Sequence, residues 1–561
     1  MTQAARRGIG RAALLIGAIT ILARVVGYGR TLVFAHTVRA YCLGTAYQTA
    51  NQVPNIIYDI VAGGALTAVV VPLLAGPVSR AGDDPAATED SRRIASALLT
   101  WTIVLLVPVS AVAALAARPV ASVLLGSPHG CARADIVAVS ARMLMVFAPQ
   151  IALYGLAVVL YGILQSHHRF TAPALAPLVS SVVVGTAYLA FLPLAHGAQF
   201  GAQLYRLPEP AELMLSVGTT AGVLALVVTA ALPVAKLRLR LRPALRFPPG
   251  VSARARALAG AGIATLVAQD AAVVAVIKLA NSRGGGGALV LYNYGWQMFF
   301  LPYAVLAVPV AMSAFPLLAQ RAGPAEIPGG SSGEAAGGGP AGNFAGTAAS
   351  ATRAAAVASL LGAALLAGAA APAARVFVSS NVPQARQLMI ALIAFAPGLA
   401  GFGLAASLQR ILYATGRNRS AAAGVVGGWL LVIAADLAIV PFVPRNWTVP
   451  ALGLGNTIGL TVSGVVLTVI VRRECGAGCV DGLGRAVLGG LAAAVAGAAA
   501  GAGAAAGAGI LLPPAGFLPQ AALTLLACVV AMAVFGAVAY LTDPGDLRRL
   551  AAPALRRRPR G

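Results

Sequence analysis

About fourteen runs of roughly 20 mostly apolar residues follow one another along the chain, and this is the feature that most limits its fold. They fall near 12–36, 46–75, 94–117, 134–165, 173–196, 212–234, 255–281, 288–318, 354–376, 386–412, 421–443, 449–471, 486–511 and 519–541. About 20 such residues are what an α-helix needs to cross the hydrocarbon of a bilayer. Backbone polar groups in that medium must be satisfied within the segment, so runs of this length predict helices and an all-α polytopic membrane protein. Composition agrees: 59% of the 561 residues are hydrophobic, only 10% are charged, and the mean hydropathy is +0.84. The first run follows Arg6, Arg7 and Arg11, but no cleavage-type site leading into a polar domain follows it. It is expected to remain as a helix rather than to be removed as a signal.

The formal charge of +24 would point to nucleic acid in a soluble chain. Here the positions matter more than the total. With a cytoplasmic N terminus, about 27 Lys and Arg fall in connections on the cytoplasmic side and about 8 in the outward ones. That asymmetry predicts cytoplasmic N and C termini and an even helix count. The densest patches are Lys236, Arg238, Arg240, Arg242, Arg246, Arg254 and Arg256, and then Arg548, Arg549, Arg556, Arg557, Arg558 and Arg560. Both are expected to touch anionic lipid headgroups. No aromatic interleaving or binding fold accompanies them, so no nucleic-acid partner is expected. Five His and 16 acidic residues leave little material for metal-dependent or acid–base chemistry, which weighs against an enzyme. Cys475 and Cys479 lack the second pair that a zinc site needs. Cys42 and Cys131 both fall near the outward face, and sequence alone leaves their pairing open.

A weak internal repeat divides the chain. Val71-Pro72-Leu73-Leu74-Ala75 returns as Phe315-Pro316-Leu317-Leu318-Ala319, 244 residues later, and Ile163-Leu164 with Arg169 returns as Ile411-Leu412 with Arg417, 248 later. Two anchors at nearly one offset predict two parallel six-helix lobes. The expected division is an N-terminal lobe over 1–235, a basic linker over 236–254 and a C-terminal lobe over 255–474. Residues 475–561 supply two further helices and a basic tail. Within the second lobe, 321–350 is Gly- and Pro-rich and reads as a flexible linker. Gly497, Gly501, Gly503 and Gly507 have the spacing of a close helix–helix contact.

Polar groups inside apolar runs cost free energy and default to functional candidates. Arg24 and Arg30 lie in the first run, roughly 120° apart around a straight helix, and sharing one cavity would need a bend near Gly27 and Gly29. Gln48, Asn51, Gln52, Asn55 and Asp59 share one face of the second run, a stripe longer than a pair of interhelical hydrogen bonds requires. It predicts a wetted, substrate-facing wall, on a helix that Pro54 and Gly63-Gly64 make bendable. Asn293 and Gln297 form a smaller polar face on the repeat-related eighth run. Asp270 and Asp436 are isolated carboxylates, and Asn456 and Thr457 follow early in the twelfth run. Oxygen ligands of this kind suit sodium, and a carboxylate equally carries a proton.

Ala23-Arg24-Val25-Val26-Gly27-Tyr28-Gly29-Arg30, then Pro54-Asn55 with Gly64-Ala65 and Pro72, then Arg169-Phe170-Thr171-Ala172-Pro173-Ala174-Leu175-Ala176-Pro177, together resemble the MurJ (MviN) lipid II flippases of the multidrug/oligosaccharidyl-lipid/polysaccharide exporter superfamily. The resemblance extends over essentially the whole chain. It implies fourteen helices in two six-helix lobes plus two, in a bacterial plasma membrane. It also implies alternating-access movement of the undecaprenyl-linked peptidoglycan precursor to the outer leaflet. Arg24 and Arg30 would meet the precursor's pyrophosphate, with substrate contacts also at Asn51, Asn55 and Gln297. The two extra helices would help form a groove for the lipid tail. Thr45 stands where the best-known members are acidic, and Tyr58 and Gln297 stand where they have cavity arginines. Some relatives resemble sodium-coupled transporters, which would place a cation at Asp270, Asp436 and Thr457. No other cofactor is expected, and no nucleotide-binding loop is present to use ATP. The missing arginines leave room for export of another lipid-linked glycan or a drug. A transport-inactive scaffold that recruits cell-wall synthesis proteins is the reading from another class.

Overall fold

The computed structural model describes residues 3–60, 67–80, 85–239, 241–247, 251–321, 342–379, 381–511 and 516–542, and all regular structure among them is helical. Gly63-Gly64, Arg240, most of the expected linker and the basic C-terminal tail lie outside the described residues.

By contacts the chain separates into two compact units, 1–290 and 291–561. The first holds α1 (Gln3–Thr37), α2 (Cys42–Tyr58), α3 (Thr67–Arg80), α4 (Pro85–Leu115), α5 (Ala117–Leu125), α6 (Arg133–Phe147), α7 (Gln150–Ser166), α8 (Thr171–Ala195), α9 (Glu209–Ala235) and α10 (Val251–Leu279). Helix α11 (Ala288–Pro302) begins at the division. The second unit continues with α12 (Val308–Arg321), α13 (Gly342–Gly368), α14 (Ala370–Phe377), α15 (Val382–Phe395), α16 (Gly398–Ala414), α17 (Asn418–Ile439), α18 (Thr448–Glu474), α19 (Leu483–Leu511) and α20 (Phe517–Thr542). Helix α10 packs on α3 and α5 and so groups with the first unit.

This is a multi-pass membrane protein. Among the described residues twelve helices are long and apolar enough to cross a bilayer, and thirteen if α15 and α16, bent by 42°, form one span. The expected run missing from that set is the second, where α2 has 17 residues and leads into residues outside the described ones.

The repeat read from two short strings is carried by the helices. In the first unit Val70, Leu73, Leu74, Ile163 and Leu164 bury together in one core; in the second Leu318, Ile411 and Leu412 do the same with Leu408 and Leu467. The anchors recur because they are where each unit closes on itself. A third pair is visible only once the helices are seen: Phe147-Ala148-Pro149 breaks α6 from α7, and Phe395-Ala396-Pro397 breaks α15 from α16, again 248 apart. Proline removes a donor and clashes with the preceding turn, so each tripeptide ends one helix and starts the next. The chain also takes a π-type turn at Asp59 and Ile60 after α2, and over Tyr303–Ala307 after α11, 244 residues later.

The basic segment after α9 is packed. Leu237, Leu239, Leu241 and Phe247 lie against the first unit's core, while Arg238 and Arg242 between them stay exposed. The Arg242 and Ala244 amides donate to Ser96 Oγ (3.2 Å) and Thr100 Oγ1 (3.0 Å), and Trp101 Nε1 donates to the Leu245 carbonyl (2.9 Å). Arg238 lies in the turn that closes α9, with φ of 51°, and the irregular segment 241–247 beyond it is held to α4 by these bonds.

Of the glycine series in α19, Gly497 and Gly501 meet α20, where an added Cβ would press the carbonyls of Ala531 (2.8 Å) and Ala527 (2.7 Å). Gly503 and Gly507 have open space around them, so only the first half of the series is a helix contact.

Candidate functional site

The polar face of α2 is the half-exposed one. Gln48, Asn51, Gln52, Asn55 and Asp59 are each half-buried, whereas Cys42 to Tyr47, Thr49, Ala50 and Pro54 are buried on the other side. That is the division a stripe at i, i+3, i+4, i+7 produces when one face packs and the other stays partly open. The buried side is held by polar ties: Tyr47 Oη lies 2.7 Å from both Tyr188 Oη and Thr219 Oγ1, and Ser140 Oγ donates to the Ala46 carbonyl (3.2 Å).

Helix α7 completes the wall. Tyr154 Oη donates to Asn55 Oδ1 (3.2 Å), and the rings of Tyr58 and Tyr154 lie 4.6 Å apart, tilted by 41°. Tyr58 therefore puts a ring at the position where the resemblance anticipates an arginine. Asn51 Oδ1 is buried with no hydrogen-bond partner among the described residues.

The two arginines of α1 part company. The helix runs unbroken through Gly27 and Gly29, so Arg24 and Arg30 stay about 9 Å apart along the axis and on different faces. Arg30 is half-buried against Gly185 of α8 and within electrostatic reach of the Tyr47, Tyr154 and Tyr188 hydroxyls. Arg24 is exposed. Arg30 is thus linked to the α2–α7 wall through Tyr154, which bonds Asn55, while Arg24 has no such link among the described residues.

At one end of the first unit the wall is capped. Cys42 and Cys131 form a disulfide with Cα atoms 5.7 Å apart, answering the pairing that sequence left open. The connection from α10 to α11 sits on it: a Cβ on Gly286 would lie 2.6 Å from Cys131 Sγ, and the flanking Gly285 and Gly287 take φ of 84° and 94°. Side chains other than glycine rarely adopt that conformation. The Gly286 amide donates to the His129 carbonyl (3.0 Å), the Gly287 amide to Thr45 Oγ1 (2.7 Å), and Asn281 Nδ2 to Thr49 Oγ1 (3.0 Å) and the Leu124 carbonyl (3.1 Å). Thr45 is part of this cap. Nothing in the sequence but the run of four glycines from 284 to 287 hinted at it.

The carboxylates divide between the units. Asp270 is buried in α10, within electrostatic reach of Asp59, and its Oδ2 has no hydrogen-bond partner among the described residues. Lys278, two turns on, donates to the Val123 carbonyl instead. Asp436 of α17 is fully buried, neither of its oxygens has a partner among the described residues, and only a glycine at 455 leaves it room. Beside Gly455, Asn456 donates to Tyr292 Oη (3.0 Å), and its own Oδ1 is unpartnered. Thr457 donates to the Ala394 carbonyl (2.6 Å), which ties α18 to the break between α15 and α16. Asn293 and Gln297 of α11 are half-buried. Both Asp436 oxygens and Asn456 Oδ1 are thus buried polar atoms without a hydrogen-bond partner among the described residues. Among the described residues no group of three or more His, Cys, Asp or Glu could hold a metal ion.

A family model described as lipid II flippase MurJ matches residues 34–527. The chain is 28% identical over 317 residues to the lipid II flippase MurJ of Burkholderia cenocepacia, covering 55% of this chain and 57% of that protein. It is 25% identical over 308 residues to the probable lipid II flippase MurJ of Rhizobium tropici, covering 55% and 54%. These alignments span a little over half the length of each relative. Among solved structures, a lipid II flippase MurJ in an inward closed conformation superposes with a TM-score of 0.68 at 15% identity, covering 94% of this chain and 99% of that one. An inward-facing multidrug resistance MATE transporter superposes at 0.61 and 14% identity, covering 82% and 98%. At these identities the superpositions speak for the fold alone.

Proposed function

The chain belongs to the MurJ lipid II flippase family, as the family match over residues 34–527 establishes, and from that premise we propose that it carries the undecaprenyl-linked peptidoglycan precursor from the inner to the outer leaflet of a bacterial plasma membrane. It acts as a transporter and not as an enzyme. The observation that carries this reading is the half-exposed polar wall of α2 and α7, with Arg30 within electrostatic reach of its Tyr154.

In this reading Arg30 takes the pyrophosphate. Guanidinium stays charged and pairs in a planar fork with phosphate oxygens, and beside half-buried helices that pairing is stronger than in water. Asn51 and Asn55 supply hydrogen bonds to the headgroup, Gln297 of α11 is a separate candidate donor in the second unit, and Arg24 meets the anion on its way in. The termini and the Arg238–Arg242 segment face the cytoplasm, where the outward arginines rest on anionic lipid headgroups. The Cys42–Cys131 end then faces outward, and release of the 280–287 connection from it is the motion that opens the outward side. Helices α19 and α20 border a groove for the lipid tail. Sodium or a proton at Asp436, with Asn456 and Thr457 as further oxygens and Asp270 as a separate carboxylate, couples the cycle to a cation gradient or to the membrane potential.

The test is complementation. With the native flippase depleted, the chain restores lipid II accessibility at the outer leaflet, and Arg24→Ala combined with Arg30→Ala abolishes it at equal expression. Wild-type accessibility and growth in the double variant would overturn the mechanism.

A further inference from the structure

Three tyrosines stand along the half-exposed side of the α2–α7 wall. Tyr58 and Tyr154 present neighbouring rings 4.6 Å apart, and Tyr154 is fixed by its hydrogen bond to Asn55. Tyr161 lies seven residues beyond Tyr154 on the same face of α7 and within electrostatic reach of both other rings. Its hydroxyl is buried with no hydrogen-bond partner among the described residues, as is Asn51 Oδ1 on α2. None of the three rings is fully buried.

The combination selects a ligand class. A ring face takes apolar C–H surface, while a buried hydroxyl or amide oxygen left without a partner costs free energy that a matching polar group recovers. A phosphate supplies no C–H surface for the rings, and a polyprenyl chain supplies nothing for the Tyr161 hydroxyl or Asn51 Oδ1. A pyranose does both: its axial C–H bonds form an apolar face and its hydroxyls radiate from the rim. Along α2, Asn51 and Tyr58 are about 10 Å apart, so the wall offers polar and aromatic ground in sequence.

We infer that Tyr58 and Tyr154 stack on a sugar ring of the lipid-linked substrate, with Asn51 and the Tyr161 hydroxyl taking its rim groups, so that Tyr58 determines specificity for the glycan rather than for the pyrophosphate. This rests on the flippase reading and goes beyond it by assigning recognition of the sugar to aromatic side chains of the first unit. Arg30 holds the charge; the tyrosines hold the carbohydrate.

The experiment measures affinities of the full chain in lipid nanodiscs for two probes, lipid II and undecaprenyl pyrophosphate, which lacks the glycan. The wild type is expected to prefer lipid II. Tyr58→Leu should lose about tenfold in lipid II affinity with undecaprenyl pyrophosphate binding unchanged, and Tyr58→Phe, which keeps the ring, should stay near wild type. Tyr154→Leu should repeat the pattern of Tyr58→Leu, and retained binding of the sugar-free lipid shows that each variant is folded. Equal loss for both probes, no loss at all, or Tyr58→Phe as damaging as Tyr58→Leu overturns the inference while leaving the flippase reading in place. Failure of the wild type to bind either probe strikes at the flippase reading itself and takes the inference with it.

Discussion

Both units carry asparagines and acidic residues inside apolar helices, and the stripe on α2 and the pair Asp436 and Asn456 dispose of them in opposite ways. In the first, Asn51, Asn55 and Asp59 sit half-exposed along α2, with Asn55 tied to a tyrosine of the neighbouring helix. In the second, Asp436 and Asn456 are fully buried, with three of their oxygens unpartnered among the described residues. A half-exposed polar wall keeps its hydration until a ligand displaces it. A sealed group has lost that hydration already, so it must hold an ion or a proton, or bear the cost of desolvation. The same residue types thus stand open to a ligand along α2 and sealed from one at Asp436 and Asn456, which is the contrast the proposed headgroup and cation roles rest on.

The largest expected effect tests the sealed site. Asp436→Asn should reduce transport at least about tenfold and remove its dependence on sodium and membrane potential, while lipid II affinity stays within about twofold of wild type. Flux assays in proteoliposomes with imposed gradients, paired with binding, would show it; preserved ion dependence breaks the comparison. Next is the way each unit is tied. Among the described residues the first unit has a disulfide, while Cys475, Cys479 and Cys528 of the second are free thiols. Gly286→Ala pushes a methyl group into the Cys131 sulfur and should cost about 1–3 kcal/mol. That cost would read out as a lower unfolding midpoint in detergent and should shrink when the disulfide is reduced and the sulfur can move. Asn55→Ala removes a hydrogen-bonding group from the open wall. It should weaken lipid II binding by a few-fold, corresponding to about 1 kcal/mol, with ion dependence intact, the mirror image of Asp436→Asn. Smallest is Tyr47→Phe, which deletes the hydroxyl between Tyr188 and Thr219 behind the wall and should cost about 0.5–1.5 kcal/mol in stability with substrate affinity unchanged.

Much of this was legible in the residues. Apolar runs of bilayer length gave the helices, and the spacing of Gln48, Asn51, Gln52, Asn55 and Asp59 gave the face of α2 that remains half-exposed, because both follow from local geometry. What stayed hidden depends on which distant segments meet. Tyr154 and Tyr161 look like ordinary apolar-run aromatics until α7 is placed beside α2. The basic segment after α9 reads as a solvated charge run, and its packing shows only when Ser96, Thr100 and Trp101 of α4 are placed beside it. Arg24 and Arg30 look alike on paper, and only the straight course of α1 with the packing of α8 separates them. The four glycines from 284 to 287 gave no sign of what they rest on, since Cys42 and Cys131 are remote in sequence.

Both cysteines of that bond precede, along the chain, the loop that rests on it. Synthesis proceeds from the N terminus, and Cys131 precedes Gly286 by 155 residues (286 − 131). The two sulfurs are therefore available to join before the glycine run has left the ribosome, and the later segment arrives at a platform already closed. A chain whose cysteines join late would have to form the bond beneath a loop already in place. Biogenesis of this protein should accordingly be sensitive to the timing of oxidation, not merely to whether it occurs.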